Sequence, residues 1–163
     1  MALAVTDELF RHAMSSFASG VTVITTMDAS GRPFGMTATA FCSVSREPPL
    51  CLVCVADSAD AYPALKESGR FAVNVLSSEQ SELSARFATH GIDKFEGVAW
   101  SEGPETGCAI LEGALVTVEC LVENVLVAGD HEIFVGSIRR VHAGNASDPL
   151  VYFRGRYVDV RPR

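Results

Sequence analysis

Apolar and polar positions alternate first with a helical period and then with an extended one. Leu9, Phe10, Ala13, Met14 and Phe17 recur at helix spacing behind a capping pair, Thr6-Asp7, and Gly20 stands where a left-handed stop is expected. From Val21 the chain turns β-branched. Residues 21–26 read as a strand, 28–33 as a turn and 34–45 as a second extended run, which together predict a hairpin. Pro48-Pro49 bars helix and leads into a strand at 50–56; a short helix at 61–68 ends at Gly69, and 70–76 returns to strand. Ser77-Ser78-Glu79-Gln80 has capping-box spacing for a helix that carries Leu83 and Phe87 on one face and ends near His90-Gly91. Residues 92–107 are rich in turn formers and read as a surface connection, and strands at 111–115, 116–127, 133–142 and 151–160 close the chain. Seven or eight strands joined mostly by short turns, with three short helices, predict a mainly β antiparallel barrel rather than a doubly wound parallel sheet.

Composition narrows the class. A chain of 163 residues is expected to form one domain, with a core spanning about 7–160 and no repeat or linker. Hydrophobic residues make up 48% and charged residues 20%, which leaves little for disordered arms. Thirteen Lys and Arg against 20 Asp and Glu give a net charge of −7, which argues against nucleic acid and anionic lipid as partners. The longest apolar run, residues 50–56, is far short of the roughly 20 residues a membrane helix needs. Residues 1–10 lack the basic and apolar regions of a signal peptide, so a cytoplasmic protein is expected. Five cysteines, an odd number, do not suit a disulfide framework and read as small buried hydrophobes. Cys51 and Cys54 form a C-x-x-C, but on a strand positions i and i+3 face opposite ways.

The common phosphate cradles G-x-G-x-x-G and G-x-x-x-x-G-K-[ST] are absent, as are H-E-x-x-H and G-x-S-x-G. What stands out is Gly35-Met36-Thr37-Ala38-Thr39-Ala40-Phe41-Cys42-Ser43-Val44-Ser45. If it is one strand, Thr37, Thr39, Phe41, Ser43 and Ser45 share a face, and four hydroxyls around an aromatic ring form either a solvated surface or a ligand site. Gly129-Asp130-His131 has the composition of a tight hairpin, and its His could equally hold a polar substrate group. Arg86-Phe87 and Lys94-Phe95 put two cations and two aromatics near the end of the capped helix, either to clamp a phosphate and a flat ring or to offset the helix dipole.

Taken in order, the segments resemble the flavin reductase-like family, the short-chain NAD(P)H:flavin oxidoreductases that serve two-component flavin-dependent monooxygenases. The resemblance is carried by residues 17–26, the 35–45 strand, Pro48-Pro49-Leu50, residues 69–76, Arg86-Phe87-Ala88 with Asp93-Lys94-Phe95, residues 111–114 and 118–120, and the run from Gly129 to Gly136.

This resemblance implies an antiparallel, Greek-key-like split β-barrel of the FMN-binding type, a homodimer, and FMN or FAD against the 35–45 strand, with NADH or NADPH as hydride donor. Reduced flavin would pass to a monooxygenase by diffusion. Thr37, Ala38, Thr39, Phe41 and Ser43 would line the flavin, Ser58 would meet its phosphate, and Arg86, Phe87, Lys94 and Phe95 would complete the phosphate and ring environment. Asp130 would contact the cofactor, His131 would stand beside the nicotinamide as the catalytic residue, an orienting or proton-relaying group, and Tyr157 would help cover the site. The chain departs from the family pattern at Ala40, where relatives carry Ser, and at Arg46-Glu47, where Leu-Asp is usual. It also departs at Asp57 and Asp60, two carboxylates beside Ser58 that should repel a phosphate. Two other readings of the barrel are a non-catalytic FMN-binding protein and an oxidase of the pyridoxamine-phosphate type, although no basic substrate-phosphate cluster is visible; a purely structural barrel is a third.

Overall fold

The computed structural model describes residues 4–146 and 148–161. The first helix, α1 (Asp7–Ser15), is capped as its sequence suggests: the Thr6 hydroxyl accepts from the Leu9 amide at 3.2 Å, and Asp7 and Glu8 sit in the first turn. None of its residues is buried, and Phe17 just beyond it is 80% exposed. Gly20 is not its stop. Ser19–Gly20 forms a short strand, β1, paired with β11 (Val151–Phe153), and the helix ends at Ser16 in an ordinary right-handed conformation.

Seven strands form the main sheet: β2 (Thr22–Met27), β3 (Pro33–Ala38), β4 (Phe41–Arg46), β5 (Pro49–Ala56), β6 (Arg70–Val75), β9 (Val116–Ala128) and β10 (His131–Ala143). Their order is β3-β2-β6-β9-β10-β5-β4, antiparallel at every pairing. The two edges, β3 and β4, are consecutive in the chain and separated only by Thr39-Ala40. Three Cα steps span at most about 11 Å, so the sheet must curl until its edges meet. No ladder joins β3 to β4, and the barrel is split there.

This corrects the single strand expected over 34–45. The run carries no Gly or Pro after Gly35 to mark a break, yet its halves pair with different neighbours, β3 with β2 and β4 with β5. The odd-numbered positions therefore do not form one face. Phe41 packs against the barrel core, whereas Ser43 is exposed on β4.

The barrel core holds Ile24, Val53, Phe71, Val73 and Phe134. A second cluster, with Val21, Leu76, Phe87, Leu111 and Leu150, lies outside the barrel wall beneath α3 (Ser81–Ala88). The capping box is present: Ser77 and Gln80 satisfy each other's backbone before a 3-10 turn, Ser78–Gln80, that runs into α3. The other helix, α2 (Tyr62–Ser68), ends at Gly69 in the left-handed region, φ +63.

The 92–107 segment is more than a surface connection. Its β7 (Trp100–Glu102) pairs with β8 (Ala109–Leu111), which replaces the strand expected at 111–115, and Phe95 and Trp100 pack on the second cluster. At the chain end the expected single strand is a hairpin of β11 and β12 (Arg156–Val158), turned at Arg154 and Gly155, both at positive φ. All five cysteines are unbridged. Cys51, Cys108 and Cys120 are buried as expected, Cys54 only partly, and Cys42 is exposed. Among the described residues no helix is long and apolar enough to cross a membrane.

Candidate active site

Four segments converge where the barrel fails to close: the crossing from β3 to β4, the end of β5 with the turn after it, the end of α3, and the β9–β10 hairpin. They enclose a cleft of about 350 Å³. Backbone pairing sets its frame. His131 opens β10 and stands opposite Ala56, the last residue of β5, while the Asp57 amide donates to the Asp130 carbonyl at 3.1 Å and ties the turn after β5 to the hairpin. Gly129, at φ +71, allows the two-residue turn that makes this possible.

Two functional groups in the cleft are held by specific partners. His131 Nδ1 lies 2.8 Å from Asp130 Oδ1, and this bond holds the Asp130 carboxyl below the usual range and leaves Nε2 as the ring atom for a ligand. Lys94 is only 7% exposed; its Nζ donates to the Gly35 carbonyl at 3.2 Å and lies 3.4 Å from Asp60 Oδ2. The other Asp60 oxygen is 3.4 Å from His90 Nδ1, and this bond, with Lys94 assisting, holds the Asp60 carboxyl low. The expected repulsion at Asp60 is thus offset by the Lys94 ammonium and by the His90 ring. Asp57 is exposed and does not line the cleft.

The wall beneath the cleft depends on a close approach. A Cβ on Gly35 would lie 2.5 Å from Phe87 Cε1, so only glycine lets the α3 ring sit on β3. The Thr37 hydroxyl is engaged there, donating to the Ser84 carbonyl at 2.6 Å, and the Tyr157 hydroxyl donates to Ser84 Oγ at 2.9 Å. Thr39, exposed at the crossing, keeps its hydroxyl available to the cleft.

Of the residues singled out from the sequence, Thr37, Ala38, Thr39, Ser58, Phe87, Lys94 and His131 line this cleft. Tyr157 lines an adjoining groove that shares Thr37, Ala38 and Thr39. Phe95 lies beyond Lys94 in a second cleft, edge-on to Phe87 and Trp100. Three others are elsewhere. Phe41 is in the barrel packing, Ser43 is exposed on the far edge strand, and Arg86 donates to the Glu96 carbonyl at 2.6 Å, which anchors the following loop. Asp130 does not line the cleft and contacts it through its bond to His131.

Sequence reasoning missed Cys54, Ala56, Ala88 and His90, which also line the cleft. The alanines leave space rather than chemistry, so composition gave no sign of them. His90 was readable only as a helix end. Among the described residues no cluster of His, Cys, Asp and Glu could hold a metal. A groove with exposed hydroxyls, a buried ammonium and two imidazoles, in a chain of net charge −7, suits a flat polar ring with an anionic tail.

Comparison with known proteins agrees with this geometry. The chain is 38% identical over 159 residues to the reductase subunit HsaB of a flavin-dependent monooxygenase from Rhodococcus jostii, covering 98% of this chain and 80% of that protein. It is 38% identical over 152 residues to an NADH:riboflavin 5'-phosphate oxidoreductase of Streptomyces pristinaespiralis, covering 93% and 86%. The solved NADH:FAD oxidoreductase SgcE6 of Streptomyces globisporus superposes with a TM-score of 0.92 at 34% identity, covering 99% of this chain and 98% of the other. Some relatives are longer; the chain spans about half the length of two of them. The sequence model for the flavin reductase like domain matches residues 14–161, and the chain belongs to that family.

Proposed function

We propose that this chain is an NADH-dependent flavin reductase whose reduced flavin supplies a partner monooxygenase. The observation that carries this reading is the convergence of Thr39, Ser58, Lys94 and His131, from four separate segments, on one cleft at the split of a barrel of this family. The flavin supplies the redox chemistry, taking hydride from the reduced nicotinamide. The protein binds and orients. Lys94 places positive charge for the phosphate and His90 a ring nitrogen beside it, Ser58 and Thr39 offer hydroxyls, and the small side chains of Ala56 and Ala88 leave room for a ring. His131, fixed at Nδ1 by Asp130, positions the nicotinamide through Nε2. No activated nucleophile is needed for this chemistry.

The shared exposure of Leu9, Phe10 and Met14 on α1 and of Phe17 just beyond it supports a homodimer, since a face of this kind is normally covered by another chain. The groove lined by Phe10, Met14 and Phe17 also includes Thr39, so a second copy seated on it would border the cleft.

The test is consumption of NADH and NADPH with and without added FMN, FAD or riboflavin. Turnover that depends on added flavin is expected. A yellow protein that oxidises neither nucleotide would be a flavin-binding barrel, and no turnover under any combination sinks the reductase reading.

A further inference from the structure

Among the described residues that line the cleft, Asp60 is the only acid. It sits on a stiff piece of chain. The Ala59 amide donates to the Ala56 carbonyl at 3.1 Å and the Tyr62 amide to the Ala59 carbonyl at 2.9 Å, two successive turns that carry the chain from β5 past Ser58 and Asp60 into α2. From there the two carboxylate oxygens divide between two partners from a different part of the chain. Oδ2 lies 3.4 Å from Lys94 Nζ, in the segment after α3, and Oδ1 lies 3.4 Å from His90 Nδ1, at the end of α3.

These are the groups on which an anion entering the cleft depends. Lys94 is buried and spends one of its three N–H donors on the Gly35 carbonyl, while the Asp60 side chain is 44% exposed and is the accessible member of the pair. The His90 bond, with the Lys94 charge behind it, holds the Asp60 carboxyl low, so it is ionised at neutral pH. A carboxylate and a phosphate are both oxygen anions that seek charge-assisted bonds from the same donors, and an ammonium half-engaged by one has less to give the other.

We infer that Asp60 is a built-in competitor of the flavin phosphate: it holds Lys94 and His90 while the cleft is empty, yields them when flavin binds and reclaims them as flavin leaves, so that the flavin is released as a product and not retained. This rests on the reductase reading, with the phosphate beside Lys94. It gives the chain's acidic residue near Ser58 a task in turnover.

The affinities of the full chain for FMN and riboflavin are measured by flavin fluorescence, and FMN dissociation by stopped flow, in the wild type and in Asp60→Asn, which keeps the shape and removes the charge. Asp60→Asn is expected to bind FMN about tenfold more tightly and to release it correspondingly more slowly, on the scale of one hydrogen bond to a charged group, while riboflavin affinity moves less than about twofold. In a Lys94→Met background, where no ammonium remains to be contested, the gain from Asp60→Asn is expected to shrink. FMN affinity that is unchanged or weakened in Asp60→Asn overturns the proposal, as does an equal gain for riboflavin, which would place the effect at the ring or in the fold. A gain undiminished by Lys94→Met means repulsion without competition and overturns it as well. Each of these leaves the reductase reading standing, whereas failure of the wild type to bind any flavin removes both.

Discussion

His142 Nε2 lies 2.7 Å from Glu119 Oε1, a carboxylate with no exposed surface at all. The other Glu119 oxygen accepts from the backbone amides of Glu105 and Thr106 and from the Thr106 hydroxyl, at 2.8 to 3.0 Å. A buried charge is tolerable only with such a set of donors. One side chain on β9 thereby ties the 103–108 loop to the barrel wall, and Gly103 is required there because a Cβ would fall 2.5 Å from Glu119 Oε2.

Burial raises the Glu119 pKa, but the His142 bond and the Thr106 and Glu105 donors outweigh it and hold the carboxyl below the usual range. A group depressed on folding adds stability above its unfolded value, near 4.3, and that contribution is lost as pH falls through the lower folded value. Urea midpoints of the wild type should fall across this acidic window. Glu119→Gln should lose stability at pH 7, by about 3 kcal/mol on the scale of a broken buried pair, and show a flatter acid profile. Equal midpoints at pH 7 would refute this account.

The His131 side chain is predicted to act on nicotinamide placement. His131→Ala should lower kcat/KM for NADH about tenfold, or about 1.4 kcal/mol, while the flavin Kd moves by less than twofold. Steady-state kinetics with titrated flavin measure both, and an unchanged kcat/KM removes His131 from the site.

Lys94→Met keeps the buried stem and removes the charge. FMN affinity should fall by about tenfold or more, the scale of one hydrogen bond to a charged group, and riboflavin affinity should change far less. A parallel loss for both ligands would mean that Lys94 supports the fold around Gly35 rather than the phosphate.

At Gly35 the prediction concerns packing. Gly35→Ala drives a methyl into the Phe87 ring and should cost about 1–3 kcal/mol. Adding Phe87→Leu, which shortens the opposing side chain, should restore part of the loss. Additive destabilisation in the double variant would show that the two positions do not meet.

Arg86→Ala should leave FMN affinity within about twofold, because the guanidinium anchors the Glu96 carbonyl rather than the cleft. An isothermal titration in which FMN binding collapses would return Arg86 to the phosphate.

Much of this architecture was legible in the residue pattern. The β-branched run at 21–26, the Ser77–Gln80 capping box and the Gly129-Asp130 turn each have a local physical cause, and each appears where that cause places it. What escaped was non-local. Nothing in the alternation of residues 34–45 marks Thr39-Ala40 as the crossing between edges, because the break arises from the choice of partner strand and not from propensity. Charged groups could not be told apart for the same reason. Arg86 and Lys94 look equivalent along the chain, but Lys94 turns inward to Gly35 and Asp60 while Arg86 turns to its own loop. His90 carried no signal until Asp60 was seen beside it.

The split between β3 and β4 has a thermodynamic consequence. Elsewhere around the barrel, strands are held together by backbone ladders, and beside this seam a flavin in the cleft would touch the end of β3, the crossing and the end of β5. A ligand that binds only the folded chain adds RT ln(1 + [L]/Kd), about 2.7 kcal/mol at a hundredfold excess over Kd, and here it acts where the fold has no ladder of its own. A protein steadied beside its seam by its own substrate would couple its persistence to the flavin supply: when flavin is scarce, the reductase would be both idle and easier to unfold.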